Sequence, residues 1–236
     1  MKKIGIVICN YNKKYYVEKC LISLMQQTRD NFDICIVDNA STDGSVEYLK
    51  KYEENITLLV NNENQGGSGG FNLGIKFMLS KNKYEYLLLL DNDVILANDC
   101  IEQGIKILDC DKDIGMLGCE ILKMDMPEII QEFGPTIDYK NINFILNYGG
   151  QKDEGLPQCV ECDYVPACAM FIRIEVIKKI GCMPQENFIY YDDITWGVRC
   201  KNAGYRICAT SLAKAWHKGG AAVNTTTFPN YYLTRN

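Results

Sequence analysis

Four short apolar runs recur through roughly the first ninety residues: Ile4 to Cys9, Phe32 to Val37, Ile56 to Val60 and Tyr86 to Leu90. Segments with helical spacing separate them. Tyr15 to Gln27 places Val17, Cys20, Leu21 and Leu24 on one face, and Ser45 to Tyr52 and Phe71 to Leu79 read the same way. Apolar runs alternating with amphipathic segments indicate parallel strands joined by crossover helices, and hence a doubly wound or Rossmann-like α/β sheet. Ligands of such sheets bind outside the carboxyl ends of the strands. The residues there are polar: Asn10-Tyr11-Asn12, then Asp38 to Gly44, then Asn61 to Gly70, then Asp91-Asn92-Asp93. The pattern predicts four strand ends meeting on one carboxylate-bearing edge.

From about Asp111 the pattern changes to short apolar runs broken by turns, such as Gly115 to Cys119, Gly134-Pro135 and Tyr148-Gly149-Gly150. Mixed or antiparallel strands are expected there. A helix is predicted from Asp192, with Ile194, Val198 and Lys201 at helical spacing and Gly204 as its left-handed stop. Ala215-Trp216-His217 closes a further short apolar segment. With 236 residues, the chain suits one substantial core, so a single catalytic domain is expected.

A hydrophobic share of 47% and a charged share of 23% exclude a disordered or collagen-like chain. A net charge of -5 provides no broad basic surface for duplex nucleic acid. Phosphate binding must then come from a metal, backbone amides or local geometry. The opening apolar stretch, Ile4 to Cys9, is too short for a secretory signal or a membrane span, and the expected compartment is the cytoplasm. The 12 cysteines read as reduced core thiols. Cys159-Val-Glu-Cys162, followed by Cys168, is half of a zinc pattern whose second half is missing.

Asp91-Asn92-Asp93 follows a fully apolar strand, so two carboxylates emerge together with the intervening residue turned away. Such a pair suits Mg2+ or Mn2+, and a cation there neutralises a departing diphosphate. The triplet alone also fits a solvated turn. Asp38 is placed to accept from a base N–H or a ribose hydroxyl, and a plain turn explains it equally well. Asn64-Gln-Gly-Gly67-Ser-Gly-Gly-Phe-Asn72 lets backbone approach a ligand closely at a helix start, and it matches neither phosphate-binding glycine motif of ATPases or nicotinamide enzymes. Asp192-Asp193, after Phe188-Ile-Tyr-Tyr191, supplies a candidate general base in an aromatic setting, although acids also favour the first turn of a helix without catalytic duty. His217, the single histidine, is either structural or a third metal ligand.

Taken in order, Ile6-Val-Ile-Cys-Asn10-Tyr-Asn12, Val37-Asp38-Asn-Ala-Ser-Thr-Asp-Gly-Ser45, Asn64 to Asn72, Leu90 to Asp93, Tyr191-Asp-Asp193 with Arg199 and Ala203-Gly-Tyr205, and Trp216-His217 resemble family 2 glycosyltransferases of the GT-A fold. The glycine-rich stretch, the paired aspartates, Trp216-His217 and the closing Tyr232-Leu-Thr-Arg-Asn236 are similar to the galactofuranosyltransferase and rhamnosyltransferase branch. The resemblance implies a GT-A domain over 1–236, with 1–110 binding a nucleotide-sugar and 111–236 the acceptor. It implies inverting transfer from a UDP-sugar or dTDP-rhamnose to a glycan or lipid-linked glycan in cell-surface polysaccharide synthesis. By matching position, Asp193 is the base and Asp192 its partner; Asp91, Asp93 and His217 hold Mn2+ or Mg2+; and Asn10, Asp38, Asn64, Gly67 and Asp91 face the donor. Trp196 and Tyr191 are expected to stack on sugar rings. The branch usually continues beyond Arg235-Asn236, which implies a truncated chain whose missing C-terminal segment contacts acceptor, subunit or the inner face of the plasma membrane. The rival classes are a sugar-phosphate nucleotidyltransferase, which needs a basic glycine-rich loop near its start, and a non-catalytic nucleotide-sugar-binding module, which needs no Asp193.

Overall fold

A computed structural model describes residues 4–141, 143–219, 231 and 233–236. Gly220 of the Lys218-Gly-Gly stretch and Tyr232 of the closing motif lie outside the described residues. The chain runs β1 (Ile4–Asn10), α1 (Lys14–Met25), β2 (Phe32–Asp38), α2 (Ser45–Leu49) with a 3-10 turn (Lys50–Tyr52), β3 (Ile56–Val60), α3 (Gly66–Ser80) and β4 (Tyr86–Asp91). It continues with β5 (Val94–Leu96), α4 (Cys100–Cys110), β6 (Ile114–Lys123), β7 (Met126–Glu132), β8 (Thr136–Asp138), β9 (Asn143–Ile145), β10 (Cys159–Glu161) and β11 (Ala169–Arg173). Last come α5 (Ile174–Ile180), a 3-10 turn (Gln185–Asn187), α6 (Asp192–Asn202) and β12 (Arg206–His217).

Among the described residues the main sheet follows the order β10-β12-β6-β11-β4-β1-β2-β3, with β5 paired to β12 and β7 to β6. Strands β3, β2, β1 and β4 are mutually parallel, as the alternation predicts. The order reverses at β1, so the carboxyl ends of β1 and β4 open the crevice at which ligands of such sheets bind. The second half is mixed: β11 runs antiparallel between β4 and β6, and β12 pairs parallel with β6.

Alternation along each strand divides the core between two faces. Ile4, Ile6, Ile8, Leu88 and Leu90 pack with α1, α2 and α4. Val7, Leu87 and Leu89 pack with α3, α5 and α6. The predicted stripe of α1, Val17, Cys20, Leu21 and Leu24, is buried.

Three expectations need correction. The glycine-rich stretch is the opening of α3 itself and not a loop before it. Close packing requires glycine at Gly70 and, one turn further on, at Gly74: a Cβ on Gly70 would lie 2.4 Å from Cys9 Sγ, and one on Gly74 2.3 Å from Val7 Cγ1. Helix α6 spans the predicted region and stops before Gly204 at φ +90°, but the face it buries is Trp196, Gly197 and Cys200 instead of Ile194, Val198 and Lys201. Trp196 is fully buried, donates its Nε1 to the Gly181 carbonyl at 3.0 Å, and is unavailable for stacking on a sugar. No described helix is long and apolar enough to cross a membrane.

Candidate active site

At the end of β4, Asn92 turns toward β1 while Asp91 and Asp93 line the cavity. The Asn92 Nδ2 donates to Asn10 Oδ1 at 2.6 Å and to the Asn12 carbonyl at 3.2 Å. The Asn10 Nδ2 in turn donates to Asp38 Oδ2 at 2.6 Å, and the Ser41 amide donates to Asp38 Oδ1 at 2.8 Å. Asn10 and Asp38 are fully buried. They join the ends of β1, β2 and β4 and keep their polar atoms for one another, so the polarity at these strand ends is internal scaffolding as well as ligand surface. Asp43 accepts from the Ser45 amide at the start of α2 and from the Lys14 amide at the start of α1.

The opposite half delivers the third member of the cluster. Strand β12 pairs with β5 so that His217 stands against Val94, and the Lys218 amide donates to the Asp93 carbonyl at 3.2 Å. His217 Nε2 lies 3.3 Å from Asp93 Oδ1 and 3.8 Å from Asp91 Oδ2. Asp91, Asp93 and His217 offer ligand atoms within 4.8 Å of one another, the only such group among the described residues; Cys159, Cys162 and Cys168 form none. Asp93 Oδ1 is buried against His217 Nε2 at 3.3 Å and has no tighter hydrogen bond among the described residues, an oxygen aimed where a cation fits. Two carboxylates and an imidazole suit Mn2+ or Mg2+.

Electrostatics tie these groups together. Burial opposes the charge on Asp93, but hydrogen bonding to His217 and the Lys13 ammonium at 2.9 Å hold its carboxyl down to about 2. Burial also opposes charge on His217, and Cys168, Asp93 and Asp91 outweigh it, pushing the imidazole up to about 11. The ring is therefore protonated in the metal-free protein at neutral pH and donates from Nδ1, so the Gln131 carboxamide, 3.0 Å away, must accept there through its oxygen. Burial and then Asp93 raise Asp91.

Asp192 and Asp193 open α6 on the far wall. Both are pushed up to about 7, Asp192 by burial and Asp193 beside it, Asp193 by burial and Glu132. Asp193 Oδ1 accepts from the Ile194 amide at 2.8 Å, and Oδ2 from the Ala167 amide at 3.4 Å. The approach to this pair is strained: Phe188, Tyr190 and Tyr191 all have φ between 62° and 66°. Non-glycine residues in that region cost roughly 1–3 kcal/mol each and collect at functional sites.

One cavity of about 400 Å³ is lined by Asp91, Asp93, His217, Asp192, Asp193, Tyr191 and Gly67. The sequence-derived metal group, the paired aspartates and the start of α3 thus meet in one space. Asn64 stands just outside, its Oδ1 accepting from the Gly66 amide at 2.9 Å. The same cavity holds Lys13, Gln131, Glu132 and Tyr164, which the sequence did not single out. Burial pushes Glu132 up to about 7, and one of its oxygens is buried without a partner.

The model of the family described as Glycosyl transferase family 2 matches residues 5–180. The chain belongs to glycosyl transferase family 2. Its fold is the GT-A fold. Among its family relatives is "Glycosyltransferase AglE" of Haloferax volcanii, 23% identical over 218 residues, which cover 86% of this chain and 63% of that protein. A second is the "Poly(ribitol-phosphate) beta-glucosyltransferase" of Bacillus spizizenii, 29% identical over 163 residues, 64% of this chain and 24% of that one. In structure, the chain resembles GalNAc-T7 solved with UDP, GalNAc and Mn2+, with a TM-score of 0.75 at 13% identity, covering 92% of this chain and 44% of that one. The chain therefore spans less than two thirds of the length of each of these three proteins.

Proposed function

We propose that this glycosyltransferase moves a sugar, with inversion, from a nucleotide-sugar to a hydroxyl of a glycan or lipid-linked glycan. The observation that carries the proposal is the meeting of Asp91, Asp93 and His217 with Asp193 across one cavity of about 400 Å³. Asp91, Asp93 and His217 would hold a divalent cation, Mn2+ or Mg2+. When bound, such a cation neutralises charge on the departing diphosphate.

Asp193 acts as the base: its carboxylate takes the acceptor hydroxyl proton while that oxygen bonds to the anomeric carbon. The bond from that carbon to the diphosphate oxygen breaks on the opposite face, and its electron pair leaves with the nucleoside diphosphate. A carboxyl raised to about 7 suits this duty near neutral pH. Asp192 orients the acceptor beside it, and Lys13 balances Asp93. Asn10 and Asp38 serve the donor chiefly by fixing the strand ends from which Asp91 and Asp93 project, with Asn64 and Gly67 at the start of α3 on the same side.

Residues 1–110 form the donor half of the proposed catalytic domain, and 111–236 the acceptor half. A UDP-sugar is favoured, dTDP-rhamnose being accommodated, and the glycine-rich stretch with Trp216-His217 supports the galactofuranosyl or rhamnosyl branch. A relative named for transfer to poly(ribitol-phosphate), a polyol polymer, supports a cell-surface polymer acceptor, and the proposed place of work is the cytoplasmic face of the plasma membrane. Thermal-shift screening with UDP-galactofuranose, UDP-galactose, UDP-glucose and dTDP-rhamnose, each with and without Mn2+, tests the reading. One donor is expected to stabilise the protein in a Mn2+-dependent way, and an identical response to every donor without metal would overturn the proposed site.

A further inference from the structure

Arg235 and Asn236 reach back to the segment that leads into Asp192 and Asp193. The Asn236 Nδ2 donates to the carbonyls of Asn187 at 2.9 Å, Ile189 at 2.8 Å and Tyr190 at 3.1 Å. The Arg235 Nη2 donates to the carbonyls of Glu186 and, at 2.9 Å, of Asn187. These acceptors belong to the segment with positive φ at Phe188, Tyr190 and Tyr191. Backbone in that conformation forms no continuous ladder: within the segment the Asn187 carbonyl accepts from the Ile189 amide at 2.7 Å and the Tyr190 carbonyl from Asn187 Nδ2 at 3.4 Å, and the two side chains add to these.

The opposite flank of the segment rests on α3. A Cβ on Gly66 would lie 2.2 Å from the Phe188 carbonyl oxygen, and the Asn72 carboxamide exchanges two hydrogen bonds with the Met183 backbone, at 2.9 and 3.0 Å. Ile189, Tyr190 and Tyr191 line the catalytic cavity, whereas Arg235 and Asn236 do not. The turn is therefore a cavity wall, braced by α3 on one side and by two side chains on the other.

We propose that Arg235 and Asn236 are positioning residues that clamp the turn at 186–191 and thereby set where α6 begins and where Asp193 stands. The proposal rests on the reading of Asp193 as the base. Every acceptor in the clamp is a carbonyl, so it requires N–H donors. A carboxylate of the same shape in place of Asn236 would face three oxygens and repel them.

The full chain is compared with its Asn236→Asp, Asn236→Gln and Arg235→Ala variants. Two measurements are made, amide hydrogen exchange over 186–193 and the kinetics of transfer from the donor that the thermal-shift screen identifies. Asn236→Asp is expected to speed exchange at 186–193 about tenfold while β1 and β4 exchange unchanged. It lowers kcat by roughly 10- to 100-fold, the effect of a misplaced reacting group, and leaves Mn2+-dependent UDP affinity within about twofold. Arg235→Ala moves both readings the same way, and Asn236→Gln, which keeps the donor, recovers part of each. Unchanged exchange at 186–193, or faster exchange with kcat intact, overturns the clamp. Should Asn236→Asp loosen β1 and β4 as well, the same two readings on Asn236→Gln and Arg235→Ala decide. Transfer persisting in Asp193→Asn alongside a loosened turn in Asn236→Asp refutes the base and leaves the clamp standing, because exchange reports the turn without reference to chemistry.

Discussion

Asp193 carries the sharpest prediction at the scale of single residues. Asp193→Asn removes the proton acceptor without changing shape and is expected to lower transfer by roughly 10²- to 10⁴-fold, while calorimetry finds UDP and Mn2+ bound as before. With the carboxyl at about 7, transfer by the unsubstituted enzyme should rise about tenfold per pH unit below 7 and level off above it. His217 gives a second. Its imidazole, pushed up to about 11, must lose a proton before a nitrogen can ligate, so Mn2+ binding near neutral pH should strengthen as pH rises and release about one proton per ion. Calorimetry in buffers of differing ionisation enthalpy counts that proton, and His217→Ala should weaken binding and abolish the release; proton release that persists in His217→Ala removes His217 from the ligand set. The two acidic groups were legible in the sequence because acids after an apolar strand or at a helix start announce themselves locally, although each also fitted a plain turn or helix start, and only the family resemblance joined His217 to Asp91 and Asp93. Lys13, Gln131, Glu132 and Tyr164 were not. Lys13 is one of two adjacent lysines after β1, and Gln131, Glu132 and Tyr164 are ordinary polar or aromatic residues whose place in the cavity depends on β7 and the chain before β11, which no spacing along the sequence encodes.

Among the elements, α3 couples donor side to acceptor side. The Gly66 amide is held by Asn64 Oδ1, its carbonyl accepts from Asn39 Nδ2 at 2.8 Å, and its φ is +73°. Gly66→Ala adds a Cβ that meets the Phe188 carbonyl at 2.2 Å on a backbone that disfavours any side chain. A loss of roughly 1–3 kcal/mol is expected, accompanied by a drop in kcat larger than that of Gly150→Ala, which has open space around it at a similar φ of +82°. Equal effects of the two substitutions would show that the contact with Phe188 is immaterial. The helical nature of this stretch escaped the sequence because four glycines in five residues are poor helix formers, and the tight approaches of Gly66 to Phe188 and of Gly70 to Cys9 exist only in the fold. Helix α6 misled for a different cause. Two stripes, one through Ile194 and Val198 and one through Trp196 and Cys200, are each compatible with its spacing, and the sheet beneath selects the second.

Across the whole molecule, the site stores unfavourable charge. Asp192, Asp193 and Glu132 sit at about 7 in the fold against ordinary carboxyl values of 3.8 to 4.5, so the folded state binds more protons than the unfolded chain in that interval. Their contribution is fully present below about pH 4 and is lost as pH climbs through 7. The raised His217 acts in the same direction, its contribution being complete below 6.5 and lost on the way to about 11. The depressed Asp93 loses its contribution only as pH falls through about 2. The melting temperature of the metal-free protein should therefore decline between pH 5 and pH 9, by about 2–4 °C for each kcal/mol lost at this chain length, and Mn2+ should restore it by binding only the folded state. A melting temperature that rises over that range would show these carboxyls to be ionised and paired. The parallel half of the sheet was legible from its alternation, whereas the reach of β12 was not, since its pairing with both β6 and β5 is set by contacts from far along the chain. That pairing sets Val94 against His217, and successive side chains on a strand face opposite ways. A slip of one position would turn the imidazole away from Asp93. Ion uptake during refolding is then a checksum on register: a chain that takes up Mn2+ with the native affinity has already threaded β12 correctly.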